Sequence, residues 1–266
     1  ARPGLAPESR LAGRPKGSSW SQIGMAALTE LQRFDGPENV AEEAASRIVR
    51  AANEAVASRG RFILAVTGGQ TPILTYRRLA RSRFREAMPW AETLVVWTDE
   101  RCVPPESEGS NYRMVRESLL DHVPLPADNI LRIRGEDCAL SEDLRYERAL
   151  HRLLASAPGN NRIDLMLLGV GEDGHTASLF PRAVTLAERQ RWVLPAVGPE
   201  PYPHRITLTL PMINASRTIL VLATGVGKAP VVSRVFAGTC DPLWPIASVR
   251  PSEGDLVWLA DRAAAP

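Results

Sequence analysis

Phe62-Ile63-Leu64-Ala65-Val66-Thr67-Gly68-Gly69-Gln70-Thr71-Pro72 is a short apolar run that ends in two glycines and then meets a proline. A strand with one face in water alternates apolar and polar side chains, so an unbroken run predicts a strand buried on both faces. The glycines mark a tight turn. Pro72 suits the first turn of a helix over about 72–80, where its missing N–H is no loss. Upstream, Val40, Ala44, Ala45, Ile48, Val49, Ala52, Ala55 and Val56 recur at helical spacing, and Gly60 stands where a glycine ends a helix. Helix, buried strand, glycine turn and helix together form a βα unit.

The strand signal returns at Thr93–Trp97, Ile163–Leu168, Arg205–Leu210 and Thr218–Ala223, with helical stretches at Asn111–Leu120, Glu142–Leu154 and Lys228–Phe236. Buried strands alternating with helices predict an α/β fold with a Rossmann-like, doubly wound, mostly parallel sheet. Neither a repeat nor a linker interrupts residues 25–266, so one domain is expected there, with a small excursion near 185–204.

At 44% hydrophobic and 23% charged over 266 residues, the chain can bury a core, which excludes disorder as its dominant state. No run of about 18 apolar residues occurs, so no membrane span is expected. The formal charge of +2 is unevenly placed. Residues 1–24 carry Arg2, Arg10, Arg14 and Lys16 against Glu8, which leaves 28 basic and 29 acidic residues for the rest. A near-neutral body removes the main electrostatic ground for nucleic-acid binding. Residues 1–24 are also rich in Pro, Gly and Ser without an apolar period, so a disordered extension is expected. They lack the apolar stretch of a secretory signal; an Arg-rich transit segment stays open, and Met25 opens a different composition. Cys102, Cys138 and Cys240 are odd in number and far apart, which argues against a disulfide framework or a zinc site and for a cytoplasmic chain.

In open α/β sheets, ligands bind beyond the carboxyl ends of the strands. Four polar clusters follow predicted strands directly. Thr67-Gly68-Gly69-Gln70-Thr71 can offer backbone N–H groups and a helix N-terminus to an anion, or be no more than a tight βα turn. It is neither a Walker A loop nor a GxGxxG fingerprint. Asp99-Glu100-Arg101 supplies an arginine suited to phosphate, or a solvated ion-pair network; Ser110 resembles the N-cap of the next helix. Gly169-Val170-Gly171-Glu172-Asp173-Gly174-His175 places a carboxylate and an imidazole two residues apart on a glycine-built loop. Neutral imidazole is a good general base near pH 7, and an adjacent Asp orients it. His122, His151 and His204 lack such a setting. Gly225-Val226-Gly227-Lys228 puts a lysine at a helix start against the macrodipole, which makes sense if it faces an anion; a solvated surface lysine is the plainer reading. Together these groups point to a small phosphorylated metabolite. No GxSxG elbow or HExxH motif supports a serine or zinc hydrolase.

LAVTGGQTP (64–72), WTDERCVP (97–104) with SNY (110–112), LMLLGVGEDGHTASLFP (165–181), RITLTLPMIN (205–214), GVGKA (225–229) and SVRPSEGDLVWLADRAA (248–264) resemble the 6-phosphogluconolactonase family in order and nearly end to end. The resemblance implies hydrolysis of 6-phospho-D-glucono-1,5-lactone to 6-phosphogluconate, without metal or cofactor. It also implies a fold shared with glucosamine-6-phosphate deaminases and ribose-5-phosphate isomerases. His175 matches the family's base and Asp173 the acid that assists it. Arg101 and Lys228 match residues that hold the 6-phosphate, with Thr67, Gly68, Gly69, Gln70 and Thr71 beside them and Arg205 as a further pocket residue. Gln70 departs from the family, where Ser is more usual. Backbone N–H groups of the 171–176 loop are the expected oxyanion donors. A monomer or weak homodimer with a sugar-phosphate lactone as its small-molecule partner is expected. A glucosamine-6-phosphate deaminase-like isomerase and a non-catalytic sugar-phosphate sensor are the alternatives.

Overall fold

A computed structural model describes residues 29–137, 139–156, 162–237 and 243–266. The expected extension 1–24, Met25, Cys138 and Cys240 lie outside the described residues. In chain order the elements are β1 (Thr29–Phe34), α1 (Pro37–Arg59), β2 (Phe62–Val66), α2 (Thr71–Leu79), α3 (Ser82–Arg85), β3 (Thr93–Trp97), β4 (Asp99–Arg101), α4 (Asn111–Ser118), β5 (Ile130–Leu131) and α5 (Ala139–Ala155). They continue with β6 (Leu165–Gly169), β7 (Val193–Val197), β8 (His204–Leu208), α6 (Leu210–Asn214), β9 (Thr218–Ala223), α7 (Ala229–Phe236) and β10 (Asp255–Asp261).

Seven strands form one parallel sheet in the order β1-β10-β9-β6-β2-β3-β5. Every residue of β2 is buried, as its unbroken apolar run predicts. Helix α1 lays Val40, Ala44, Ala45, Ile48, Ala52 and Ala55 on the core and ends at Gly60, whose φ of 75° is the left-handed stop a glycine allows. From β2 the chain winds to β3 and β5, then returns to the other side of β2 as β6. This reversal is the point where an open sheet forms its binding crevice. β2 and β6 pair only at Leu64↔Leu165 and Ala65↔Met166, whereas β6 and β9 pair along the whole of β6. The sheet therefore splits beyond Ala65.

The run Arg205–Leu210 corrects the sequence reading. Its strand, β8, is not in the parallel sheet; it lies antiparallel between β4 and β7 in a separate three-stranded sheet. Arg205-Ile206-Thr207-Leu208-Thr209 alternates polar and apolar residues, and period-two alternation belongs to antiparallel pairing rather than to a strand buried among parallel neighbours. The excursion expected near 185–204 is the stretch that carries β7 and returns to β8. The sequence reading expects no strand at β1, β4, β5, β7 or β10, although Leu256–Ala260 of β10 is itself an unbroken apolar run. β1 is an edge strand with half-exposed, mixed side chains, and β10 joins it to the sheet through a register that pairs Thr29 with Leu256. Among the described residues, no helix is long and apolar enough to cross a membrane.

Two buried phenols finish strand ends, Tyr76 that of β2 beside the split and Tyr146 that of β3 on the side where β5 stops. Tyr76 Oη on α2 accepts from Thr67 N–H at 3.0 Å and donates to Thr67 O at 2.8 Å. Tyr146 Oη on α5 does the same for Trp97 N–H and O, each at 2.8 Å. Burial pushes both phenols above their ordinary pKa, so they remain protonated donors.

Candidate active site

The loops that follow β2, β3, β6 and β9 converge on one cavity of about 480 Å³ at the split. Thr67, Gly68, Gly69, Gln70, Thr71, Arg101, His175, Arg205 and Lys228 all line it. Asp173 does not line it and stands behind His175, with Asp173 Oδ1 at 2.5 Å from His175 Nδ1 and 3.1 Å from the His175 backbone N. An ionised carboxylate only accepts, so this contact places the imidazole proton on Nδ1 and leaves Nε2 free as an acceptor.

The loop that holds this pair is closed on itself. Gly171 N–H donates to His175 O at 2.8 Å, Gly174 N–H to Gly171 O at 3.0 Å, and Thr176 Oγ1 to Gly169 O at 2.8 Å. A Cβ on Gly171 would lie 2.1 Å from His175 Nδ1 and 2.5 Å from Asp173 Oδ1, so only glycine lets the pair fold back over the chain. These bonds correct the oxyanion expectation in part. The N–H groups of Gly171, Gly174 and His175 are already engaged within the loop.

At the opposite wall, β4 and β8 set Arg101 directly across from Arg205. Arg101 Nη1 donates to Gly109 O at 2.6 Å, and Arg205 Nε donates to Tyr202 O at 3.0 Å. The Arg205 guanidinium lies 5.5 Å from the centre of the Phe180 ring, and the same ring is 4.8 Å from that of His175. Among the described residues, neither arginine nor Lys228 has a carboxylate ion-pair partner. Burial, and next the like charge of Arg101, lower the pKa of Arg205 from its ordinary value. Like charges paired across strands are unfavourable, and a bound anion relieves them.

Lys228 closes a short 3-10 turn, Val226–Lys228, and precedes α7 rather than lying within its first turn. Thr224 Oγ1 is 3.3 Å from Thr71 Oγ1, which joins the β9 loop to the β2 loop across the cavity. The Asp261 carboxylate, at the end of β10, receives Gly225 N–H at 3.1 Å. In the β2 loop, Thr67 N–H is taken by Tyr76, whereas Gly68, Gly69 and Gln70 N–H find no acceptor among the described residues.

The two acids beside Arg101 are not a solvated network. Both are buried. Asp99 accepts Ser178 Oγ–H at 2.7 Å and lines the cavity. Glu100 receives N–H from Asn111 and Tyr112, both at 2.7 Å, and from Arg101 at 2.8 Å. Burial pushes the Glu100 carboxyl up to about 7, while those three N–H donors hold it down. Ser110 does act as the N-cap of α4, accepting from Arg113 N–H at 3.1 Å. The remaining histidines lie elsewhere: His151 stacks on Trp192, His122 bonds Glu117 O, and His204 opens β8.

The family of glucosamine-6-phosphate isomerases and 6-phosphogluconolactonases matches residues 35–258. The chain belongs to this family. Similar members include the probable 6-phosphogluconolactonase 3, chloroplastic, of Oryza sativa subsp. indica, 39% identical over 241 residues that cover 87% of this chain and 73% of the relative. The 6-phosphogluconolactonase of a Nostoc strain is 39% identical over 214 residues, 79% of this chain and 86% of that one. Among solved structures, the 6-phosphogluconolactonase of Trypanosoma brucei has a TM-score of 0.78 at 28% identity, covering 90% of this chain and 98% of the other. A monomeric glucosamine-6-phosphate deaminase, 22% identical with a TM-score of 0.77, shares the fold, covering 89% of this chain and 98% of its own.

Against the motifs of the family, the sequence reading missed the supports. Asn111, buried on the cavity wall, donates from Nδ2 to Asp99 O at 2.9 Å. The SNY string held the signal for it. Tyr146 and Asp261 gave none, because each acts on a segment far along the chain, and Tyr76, nine residues from Thr67, reads as an ordinary buried helix residue.

Proposed function

We propose that this chain hydrolyses 6-phospho-D-glucono-1,5-lactone to 6-phosphogluconate, with His175 as general base. One observation carries the reading: a carboxylate-oriented imidazole and a facing pair of arginines without ion-pair partners among the described residues share a single cavity at the sheet's crevice. The imidazole suits proton transfer and the arginines suit a phosphate dianion.

In this mechanism the 6-phosphate is held by Arg101, Arg205 and Lys228, with the open N–H groups of Gly68, Gly69 and Gln70 beside them. That grip sets the lactone carbonyl near His175. A water donates a proton to Nε2 as its oxygen bonds to C1, and the carbonyl becomes a tetrahedral oxyanion. Asp173 stabilises the imidazolium that forms. Collapse of the intermediate breaks the C1–O5 bond, and the imidazolium returns its proton to O5. The products are an open-chain acid and a base ready for another turnover.

His175→Ala is expected to fold and to lower kcat by about 10²–10⁴-fold, the span of general-base catalysis. The measurement is a coupled assay of freshly generated lactone, corrected for its spontaneous hydrolysis. Near-wild-type turnover would remove His175 from the mechanism. The same assay separates hydrolysis from a deaminase-like reaction, which would leave the lactone untouched. A cytoplasmic location and a monomeric or weakly dimeric state belong to the same reading, and cell fractionation and sedimentation velocity test them.

A further inference from the structure

The bonds that shape the His175 loop run within the loop, so what fixes it to the body of the protein is a separate question. One anchor comes from a segment about seventy residues further along the chain. Gly174, next to His175, has a φ of 81°, and a Cβ there would lie 2.3 Å from Trp244 Cε3 and 3.1 Å from Trp244 Cα. Ile246 N–H donates to Gly174 O at 3.0 Å. The indole and the following turn, Pro245–Ser248, thus meet the loop at the residue between Asp173 and His175. The Trp244 ring is itself held, with the Arg234 guanidinium 5.3 Å from its centre. Arg234 lies on α7, the helix that Lys228 precedes.

We infer that Trp244 is a positioning residue for His175: its indole fills the space a side chain at position 174 would take and fixes where the Asp173–His175 pair points. This rests on the reading of His175 as general base. Trp244 does not line the cavity, so it has no direct hold on a ligand there. Its effect belongs to the placement of the base, and a misplaced base costs turnover while the phosphate grip is unchanged.

The experiment is steady-state lactone hydrolysis by the full chain in wild type, Trp244→Ala, Trp244→Phe, Trp244→Leu and His175→Ala. Trp244→Ala is expected to lose about 10- to 100-fold in kcat with KM within about twofold of wild type. Trp244→Phe, which restores an aromatic face, is expected to recover most of that loss. Trp244→Leu, which fills part of the space without an aromatic face, is expected to fall between the two in kcat. An unchanged kcat in Trp244→Ala, a KM that rises in step, or a Phe variant no better than Ala would each overturn the inference. If Trp244→Ala does not fold, Trp244→Leu decides: a kcat loss at constant KM supports the inference and full turnover overturns it. His175→Ala keeps the two readings apart, because an active His175→Ala refutes the base itself, whereas an inactive one beside a fully active Trp244→Ala refutes only the role of Trp244.

Discussion

His175 reaches the cavity from a glycine-built loop closed by its own hydrogen bonds, whereas Arg101 and Arg205 reach it from two strands paired residue for residue. The loop places one side chain by steric exclusion, since Gly171 and Gly174 leave room that larger residues would occupy. The strand pair places two side chains by register, and any residues at those positions would face each other. The wall proposed for catalysis is thus sensitive to the loss of space and the wall proposed for phosphate to the loss of charge.

The largest effect should come from spending that space. Gly171→Ala puts a methyl group against His175 Nδ1 and is expected to lower kcat about 100-fold with KM within about threefold, read from lactone hydrolysis. A variant with normal kcat would show that the imidazole does not need the observed fold-back. Removing charge should act on the other parameter. Arg101→Ala and Arg205→Ala are each expected to raise KM for the phosphorylated lactone about 10- to 100-fold, the worth of a hydrogen bond to a charged group, and to leave an unphosphorylated lactone unaffected. Equal losses on both substrates would place the arginines at the reacting carbonyl instead.

A third effect lies between the two walls, at Glu100, which braces β4 against α4. Its carboxyl titrates at about 7 in the folded chain against an ordinary 4.5, so between those values the folded state holds a proton that the unfolded state has released. Stability contributed by this group therefore falls as pH rises through that window. Glu100→Gln abolishes the exchange. In thermal melts across about pH 4 to 8, the wild type should lose at most about 3 kcal/mol relative to the variant as pH rises. A constant difference would mean that the N–H donors hold Glu100 ionised throughout. The smallest effect is expected at Gln70, where Ser is the more usual residue. Gln70→Ser should change KM by less than about threefold, because the backbone N–H groups of the loop remain.

The βα order was legible because buried parallel strands write themselves as continuous apolar runs, as Phe62–Val66 and Thr218–Ala223 do. β8 was misplaced because all but its first residue are buried, while its alternating pattern, the clue to antiparallel pairing, is only a few residues long. β1 was missed because an edge strand of mixed polarity has little to distinguish it from a loop. At the site, the lining residues of the β2, β6 and β9 loops could be found because they follow strands on glycine-rich turns, a local pattern, and Arg101 because it closely follows β3. Trp244, Tyr76 and Asp261 could not, since their roles arise from contacts that exist only after the chain has folded. Glu100 was visible, with a solvated ion-pair network as one of two open readings, and its burial depends on α4 closing over it.

The two phenols at the strand ends have a consequence for how such a cleft can exist at all. A sheet that opens a crevice gives up the neighbour that would have met its last amide groups, and an unmet amide in a dry interior is destabilising by roughly 1–3 kcal/mol. Tyr76 and Tyr146 each answer both the N–H and the C=O of one residue with a single hydroxyl. Tyr76 stands in for β6 at the gap and Tyr146 for β5 where that short strand stops, so the sheet can part beside β2 without unravelling from either side.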